Sequence, residues 1–174
     1  QLGKASFREN VTSVDPFWYV FTKRLVDIIG GIVMGFVTLV VTPFVALALQ
    51  FEYPGSVFIV QTRIGRYGTR IRTYKFRSMR FGDRSVWKGE DENRITRMGG
   101  FLRKISLDEF PQCINILKGE MSLIGPRNDV EALGERLAHA IPYYMTRYSV
   151  YPGITGWAQI NQQYEPGNVS PQSI

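Results

Sequence analysis

The stretch IIGGIVMGFVTLVVTPFVALAL, residues 28–49, holds 22 residues without a formal charge. As a straight helix it would just cross a hydrocarbon core of about 30 Å. Lys23 and Arg24 precede it, with Asp27 between, and Gln50 and Glu52 follow. Thr42-Pro43 interrupts the pattern. A proline inside a helix removes one hydrogen bond and clashes with the preceding turn, at about 3 kcal/mol. Gly30, Gly31 and Gly35 loosen the first half. Three arrangements compete: a kinked spanning helix, a helix-break-helix that enters and leaves on one face, and a buried core helix of a soluble protein. The last fits worst, because a small domain rarely hides a helix that is apolar all round. A re-entrant segment must satisfy its freed backbone groups, and the Thr42 hydroxyl is the candidate.

A chain of 174 residues usually makes one domain with a modest core. Its net charge of +6 is unevenly placed. Residues 1–52 balance four basic side chains against four acids; residues 53–127 set fifteen against seven; residues 128–174 set two against four. The positive middle attracts phosphate, whether on nucleic acid, nucleotide or lipid. Cys113 is the only cysteine and His139 the only histidine. This rules out an internal disulfide, a multi-Cys zinc site and any metal site built on several imidazoles. A metal here would be held by oxygen, which favours Mg²⁺ or Mn²⁺.

Further along, residues 57–63 read as a strand, Gly65-Arg66-Tyr67-Gly68 as a turn and residues 70–79 as the second strand of a hairpin. Residues 81–97 read as a loop, and Gly99-Gly100 as the lead into a short helix over 101–104. Ser106 starts a helix that stops at Gly119. Residues 130–140 form another helix ended by Pro142, residues 143–148 a fourth soluble one, and residues 152–156 a turn-rich loop.

The acids Asp108 and Glu109 fall in the first turn of the Ser106 helix. Ser106 with Glu109 three residues on reads as a capping box, and an acid in the first turn favours the helix dipole. The same turn offers N–H groups to a phosphate and a potential that keeps Asp108 ionised. A carboxylate can attack phosphorus, and its neighbour can hold Mg²⁺. From spacing alone, capping is the commoner explanation. Gly125-Pro126-Arg127 presents a guanidinium on a rigid turn, suited to a phosphate fork or simply to solvent. Lys75 and Arg77 share a strand face and form either a phosphate cradle or a solvated face. Arg103 and Lys104 flank the acidic turn. Arg147, Gln159 and Asn161 are candidates for a nucleoside or acceptor pocket, with Trp157 explained equally well by core packing. His139 reads as a surface residue and Cys113 as a packed thiol.

Taken together the segments resemble the bacterial sugar transferases, the monotopic phosphoglycosyl transferases acting on polyprenyl phosphate. The matching segments are Lys23-Arg24-Leu25-Val26-Asp27, Lys75-Phe76-Arg77-Ser78-Met79, Leu102 to Gln112, Asn115 to Ser122, Ile124-Gly125-Pro126-Arg127, and Pro152 to Asn161. Six in family order make a specific match and outweigh the capping-only reading of Asp108. The resemblance implies a re-entrant helix broken at Thr42-Pro43, on the cytosolic face of a bacterial inner membrane. It implies transfer of a hexose 1-phosphate from a UDP-sugar to undecaprenyl phosphate with release of UMP. It implies a Mg²⁺-dependent two-step route in which Asp108 attacks and Glu109, with Asp108, holds the metal. Lys75, Arg103 and Arg127 fall on family positions associated with substrate phosphates, and Arg77 joins them as a phosphate-binding candidate from its strand face. The family usually reads Gly-Pro-Arg-Pro, whereas Asn128 follows Arg127 here, which leaves the aim of Arg127 open.

The expected fold is α+β and mainly helical: a monotopic membrane protein with one re-entrant helix-break-helix and a small β-hairpin. Residues 1–22 would be a lead-in from a longer protein, 23–52 the membrane element and 53–174 a catalytic domain with a truncated C-terminus. The expected partners are the UDP-sugar, the polyprenyl phosphate and membrane lipid, without nucleic acid; a homodimer is compatible with the sequence. Glucose or galactose is the expected sugar, with an N-acetylated hexosamine open. A membrane-tethered basic module that binds anionic lipid or nucleic acid is the alternative, and a pyrophosphate hydrolase a third reading.

Overall fold

The computed structural model of the chain describes residues 16–80 and 95–161. Most of the expected lead-in and of the 81–97 loop, and the tail beyond residue 161, lie outside these residues. The described chain is mainly helical, with a two-stranded antiparallel hairpin.

Helix α1 runs from Phe17 to Glu52, six residues earlier than the expected start at 23. Pro16 precedes it, and the apolar pattern continues through Phe17, Trp18 and Phe21 without a breaker. The helix continues through Pro43 as one element. The Thr42 hydroxyl donates to Thr38 O at 2.6 Å, and the Thr38 hydroxyl to Met34 O at 2.7 Å. Asp27, Gly31, Val45 and Leu49 are buried, a stripe at helical spacing along one face. Phe36, Leu39, Phe44 and Leu47 on other faces are exposed. Only 17% of the most apolar 18-residue stretch is buried, so α1 is not a soluble core helix. By length and composition the helix is long and apolar enough to cross a membrane.

The buried stripe is pinned along its whole length. At its start, Arg24 donates to Ile116 O at 2.7 Å and Leu117 O at 2.8 Å. Asp27 accepts from the Ser122 hydroxyl and the Leu123 amide, both at 2.9 Å. A Cβ on Gly30 would stand 2.4 Å from Leu123 Cδ1, so the glycines read as loosening the helix are where the body docks. At its end, Val45 and Leu49 pack with Phe76 and Leu102.

Strands β1 (Phe58–Ile64) and β2 (Arg70–Phe76) pair in the expected hairpin. The register sets Ile59 opposite Lys75, Gln61 opposite Thr73 and Arg63 opposite Ile71. Directly opposed residues point to one face, so Gln61, Arg63 and Lys75 share it. Helix α2 (Arg97–Lys104) begins earlier than expected and takes Gly99 and Gly100 into its interior. Its N-terminus is capped twice: Thr96 Oγ1 accepts from Gly99 N, and the Glu52 carboxylate accepts from the amides of Arg97 and Met98.

The single helix expected from Ser106 to Lys118 is two elements, a 3₁₀ helix (Leu107–Gln112) and α3 (Cys113–Lys118). Pro111 lacks the N–H that an α-helix needs there, and the tighter turn results. Gly119, at φ 77°, ends α3 as expected. Helix α4 (Glu131–Ala140) agrees with its expected span, and a 3₁₀ helix (Tyr144–Ser149) follows. The expected turn-rich loop is instead strand β4 (Gly153–Thr155), parallel to β3 (Ser122–Ile124). A short helix α5 (Trp157–Asn161) closes the described chain. A second cluster packs Ile71, Ile116 and Met121 with Met34 of α1 between the hairpin and α3; a third packs Ile64 with Tyr144 and Tyr148.

Candidate active site

Asp108 and Glu109 open the 3₁₀ helix, but no capping box forms. Ser106 is left-handed (φ 56°) and makes no side-chain cap. Its amide donates to Arg103 O at 3.0 Å, so it terminates α2 rather than starting the next helix. Released from capping, Glu109 points at cations. Lys75 Nζ lies 2.5 Å from Glu109 Oε1, and Arg127 3.6 Å from the same oxygen. The Lys75 and Glu109 side chains are 11% and 15% exposed, whereas Arg127 is 51% exposed. Glu109 thus joins a strand cation to a loop cation.

Asp108 is buried beside this pair. Burial pushes its carboxyl above the usual aspartate range; the Lys75 charge pulls it down, Glu109 pushes it up and Arg103 pulls it down. The net direction is upward, because burial outweighs the neighbouring cations. Burial lowers Lys75 in turn, and Glu109 offsets part of that. Arg103 Nε donates to the Ser78 hydroxyl at 2.9 Å, which sets the guanidinium near Asp108.

Arg77 corrects the expected cradle. Strand β2 ends at Phe76, so alternation no longer places Arg77 beside Lys75. Its side chain, 1% exposed, donates to Tyr53 O at 2.5 Å and Pro54 O at 3.4 Å and lies over the Tyr53 ring. It braces the segment that leaves α1 and offers no surface to a ligand.

Arg63 was missed by sequence reasoning. It is half-buried on the hairpin face of Lys75, and burial and the Arg127 charge lower it while Glu109 and Asp129 raise it. A charged residue two positions after Gln61 on a half-buried strand was the available signal. Arg147 donates to Tyr144 Oη and to Arg127 O, which places it behind the Arg127 turn. Gln159 donates to Ile154 O at 2.9 Å and Asn161 to Trp157 O at 2.9 Å, so both contacts are local to α5 and β4. Trp157 is 83% exposed, which removes core packing as its explanation. His139 is exposed and Cys113 buried, as expected.

Among the described residues no three His, Cys, Asp or Glu side chains cluster as a metal cage. Asp108 and Glu109 are adjacent acids beside this cationic group. Two carboxylates completed by phosphate oxygens and water suit Mg²⁺, which favours few protein ligands. The arrangement can therefore bind a polyanion and present a carboxylate to it.

A sequence model of the family described as bacterial sugar transferase matches residues 18–172. The chain is 44% identical over 142 residues to the UDP-glucose:undecaprenyl-phosphate glucose-1-phosphate transferase of Escherichia coli (strain K12), covering 80% of this chain and 31% of that protein. It is 38% identical over 149 residues to the UDP-N-acetylgalactosamine-undecaprenyl-phosphate N-acetylgalactosaminephosphotransferase of Aeromonas hydrophila, covering 84% and 35%. It is 40% identical over 146 residues to the uncharacterized sugar transferase EpsL of Bacillus subtilis (strain 168), covering 80% and 68%. The chain spans about a third of the first two relatives and about two thirds of the third. With the match running from the apolar helix through the acidic turn and past α5, the chain belongs to the bacterial sugar transferase family.

Proposed function

We propose that the chain transfers a sugar 1-phosphate from a UDP-sugar to undecaprenyl phosphate, releasing UMP, as a step of bacterial polysaccharide synthesis. The observation that carries this reading is the buried Asp108 set beside Glu109 and among Lys75, Arg103 and Arg127, in a body docked along an apolar helix. The names of the Escherichia and Aeromonas relatives support the same donor and acceptor classes.

In this proposal an Asp108 carboxylate oxygen attacks the phosphorus that carries the sugar. The bond from that phosphorus to the UMP oxygen breaks, and UMP leaves with the electron pair. The resulting acyl phosphate is attacked at phosphorus by an oxygen of the lipid phosphate, which restores the Asp108 carboxylate and releases the sugar diphospholipid. Lys75, Arg103 and Arg127 offset the charge of the two anions brought together. Mg²⁺ held by Glu109 and Asp108 would neutralise charge developing on the departing phosphate. Of the sugars, unsubstituted glucose or galactose is favoured, since the relative of higher identity is named for glucose.

The proposed topology is monotopic and re-entrant, on the cytosolic face of the inner membrane. Arg24 at one end of α1 and Glu52 at the other bind the same soluble body, which favours both ends on one side. The basic body fits the positively charged cytosolic side.

The test is UMP release by the protein in nanodiscs with Mg²⁺ and UDP-glucose, UDP-galactose or UDP-N-acetylgalactosamine, with and without undecaprenyl phosphate. Lipid-dependent incorporation of the sugar supports the reading. Inorganic phosphate or free sugar phosphate released without lipid points to a hydrolase instead.

A further inference from the structure

A proline after Arg127 would fix one backbone angle of this turn, but Asn128 occupies that position. The turn is held by side chains instead. Two consecutive carbonyls each accept from an arginine: Arg127 O from Arg147 at 3.1 Å, and Asn128 O from Arg63 at 3.2 Å. Each arginine is itself held. Arg63 donates its other terminal nitrogen to Gln61 Oε1 at 2.7 Å. Arg147 donates to Tyr144 Oη, lies over the Tyr144 ring and stands 3.6 Å from Asp129 Oδ2.

Asp129 ties these supports together. Its Oδ2 accepts from Tyr144 at 3.0 Å and Tyr148 at 2.6 Å, all three residues being buried. Burial, followed by the Asp129 charge, pushes the Tyr144 phenol up to about 12, so it stays a donor at neutral pH. The Asp129 carbonyl accepts from Ile64 N at 3.0 Å, which fixes the turn to the end of β1. On the other side, Gly125 N donates to Thr155 O and Gly153 N to Pro126 O, both at 2.9 Å. A Cβ on Gly153 would stand 2.1 Å from Gly125 N, so the turn is in direct contact with β4. Arg63 also carries a cation toward Arg127, an arrangement that isolated stability would not favour.

We infer that Arg63 and Arg147 are positioning residues that aim the Arg127 guanidinium at Glu109 and the substrate phosphate, two guanidiniums acting where a second proline would act by ring closure. This rests on the phosphate-binding reading of Arg127 given above.

The experiment is a double-mutant cycle on lipid-dependent UMP release in nanodiscs. Arg63→Gln and Arg147→Gln should each lower kcat/KM for the UDP-sugar about 10- to 50-fold, as loss of a charge-assisted contact would. In an Arg127→Ala background the same changes should cost less than about twofold, because their route to the substrate has gone. Asn128→Pro placed on Arg147→Gln should recover most of the loss. Equal losses with and without Arg127, or no recovery by the proline, would overturn the inference. Amide hydrogen exchange of residues 123–130 reads the same claim without turnover. Faster exchange in Arg147→Gln, slowed again by Asn128→Pro, supports it, and unchanged exchange overturns it. A wild type that exchanges as expected yet releases no UMP would sink the functional reading and leave the clamp standing.

Discussion

Lys75 and Arg127 reach the same Glu109 oxygen from opposite kinds of structure. Lys75 comes from a paired strand, one residue before its end, and is nearly covered; Arg127 comes from a turn and is half open to solvent. A covered pair is expensive to break, since one partner's removal strands the other charge, whereas an exposed pair adds little to stability. The lysine therefore serves both the fold and the site, and the arginine serves the site almost alone. The acidic turn between them follows the same division: Glu109 is paired, while Asp108 is buried close to cations but pushed toward its neutral form. When ionised, a carboxyl raised by burial is the more basic and more nucleophilic for it, at the fold's expense.

The largest expected effect breaks the reactive half of this comparison. Asp108→Asn should reduce turnover by at least about a thousandfold, as loss of a nucleophile does. It should also leave the melting temperature at pH 7 unchanged or raised. The sign follows from linkage: a carboxyl raised in the folded state binds protons more tightly there, so its contribution to stability declines as pH climbs from the ordinary aspartate value through the raised one. A neutral amide escapes that loss. Thermal melts of both proteins beside the activity assay check the two halves.

Next, Lys75→Met and Arg127→Ala should separate stability from activity. Both should lower kcat/KM by about 10- to 100-fold or more through lost charge-assisted contacts. Only Lys75→Met should lower stability markedly, by about 3 kcal/mol or several degrees in melting temperature, because Glu109 loses its covered partner. Arg127→Ala should shift the melt by no more than a degree or two. Equal melts for the two variants would erase the distinction.

The pH profile sharpens it further. The acid limb of kcat/KM should lie above the ordinary aspartate range. In Lys75→Met it should move further upward, because the Lys75 charge favours ionised Asp108. A limb that stays put or moves down would contradict the pairing. The smallest effect concerns the turn itself. Ser106→Gly should stabilise the protein by up to about 1 kcal/mol, since the residue is left-handed and caps nothing. A capping box would have made the same change destabilising.

The sequence carried the fold where a pattern repeated. Twenty-two uncharged residues, two alternating runs around a glycine turn and a glycine stop after Lys118 need only local chemistry, and a long helix, a hairpin and the stop appeared there, though the helix began six residues early and ran through Pro43 and the second strand ended at Phe76. It failed where two local rules competed or where partners were distant. Ser106 satisfies the rule for starting a helix, yet the chain uses it to end the previous one. Arg77 was assigned a face by extending alternation one residue past the end of its strand. Strands β3 and β4 are three residues each, too short to show a period. Lys75, Asp108, Glu109, Arg103 and Arg127 were all named from motifs, but that Lys75 and Arg127 meet on one Glu109 oxygen depends on contacts 34 and 18 residues apart. Arg63 left only a faint local signal and Arg147 was singled out for another role, because their convergence with Asp129 and Tyr144 behind Arg127 depends on contacts distant in sequence.

The central claim is that Asp108 forms a covalent bond to the phosphate of the donor. Intact-protein mass spectrometry tests it most directly, on wild type and Asp108→Asn incubated with Mg²⁺ and each UDP-sugar in the absence of lipid acceptor. The account predicts a wild-type adduct with the mass of one sugar phosphate, lost on adding undecaprenyl phosphate and absent from the variant. UMP release that requires the lipid, with no adduct for any donor that turns over, would contradict it and make Asp108 a supporting group in direct transfer.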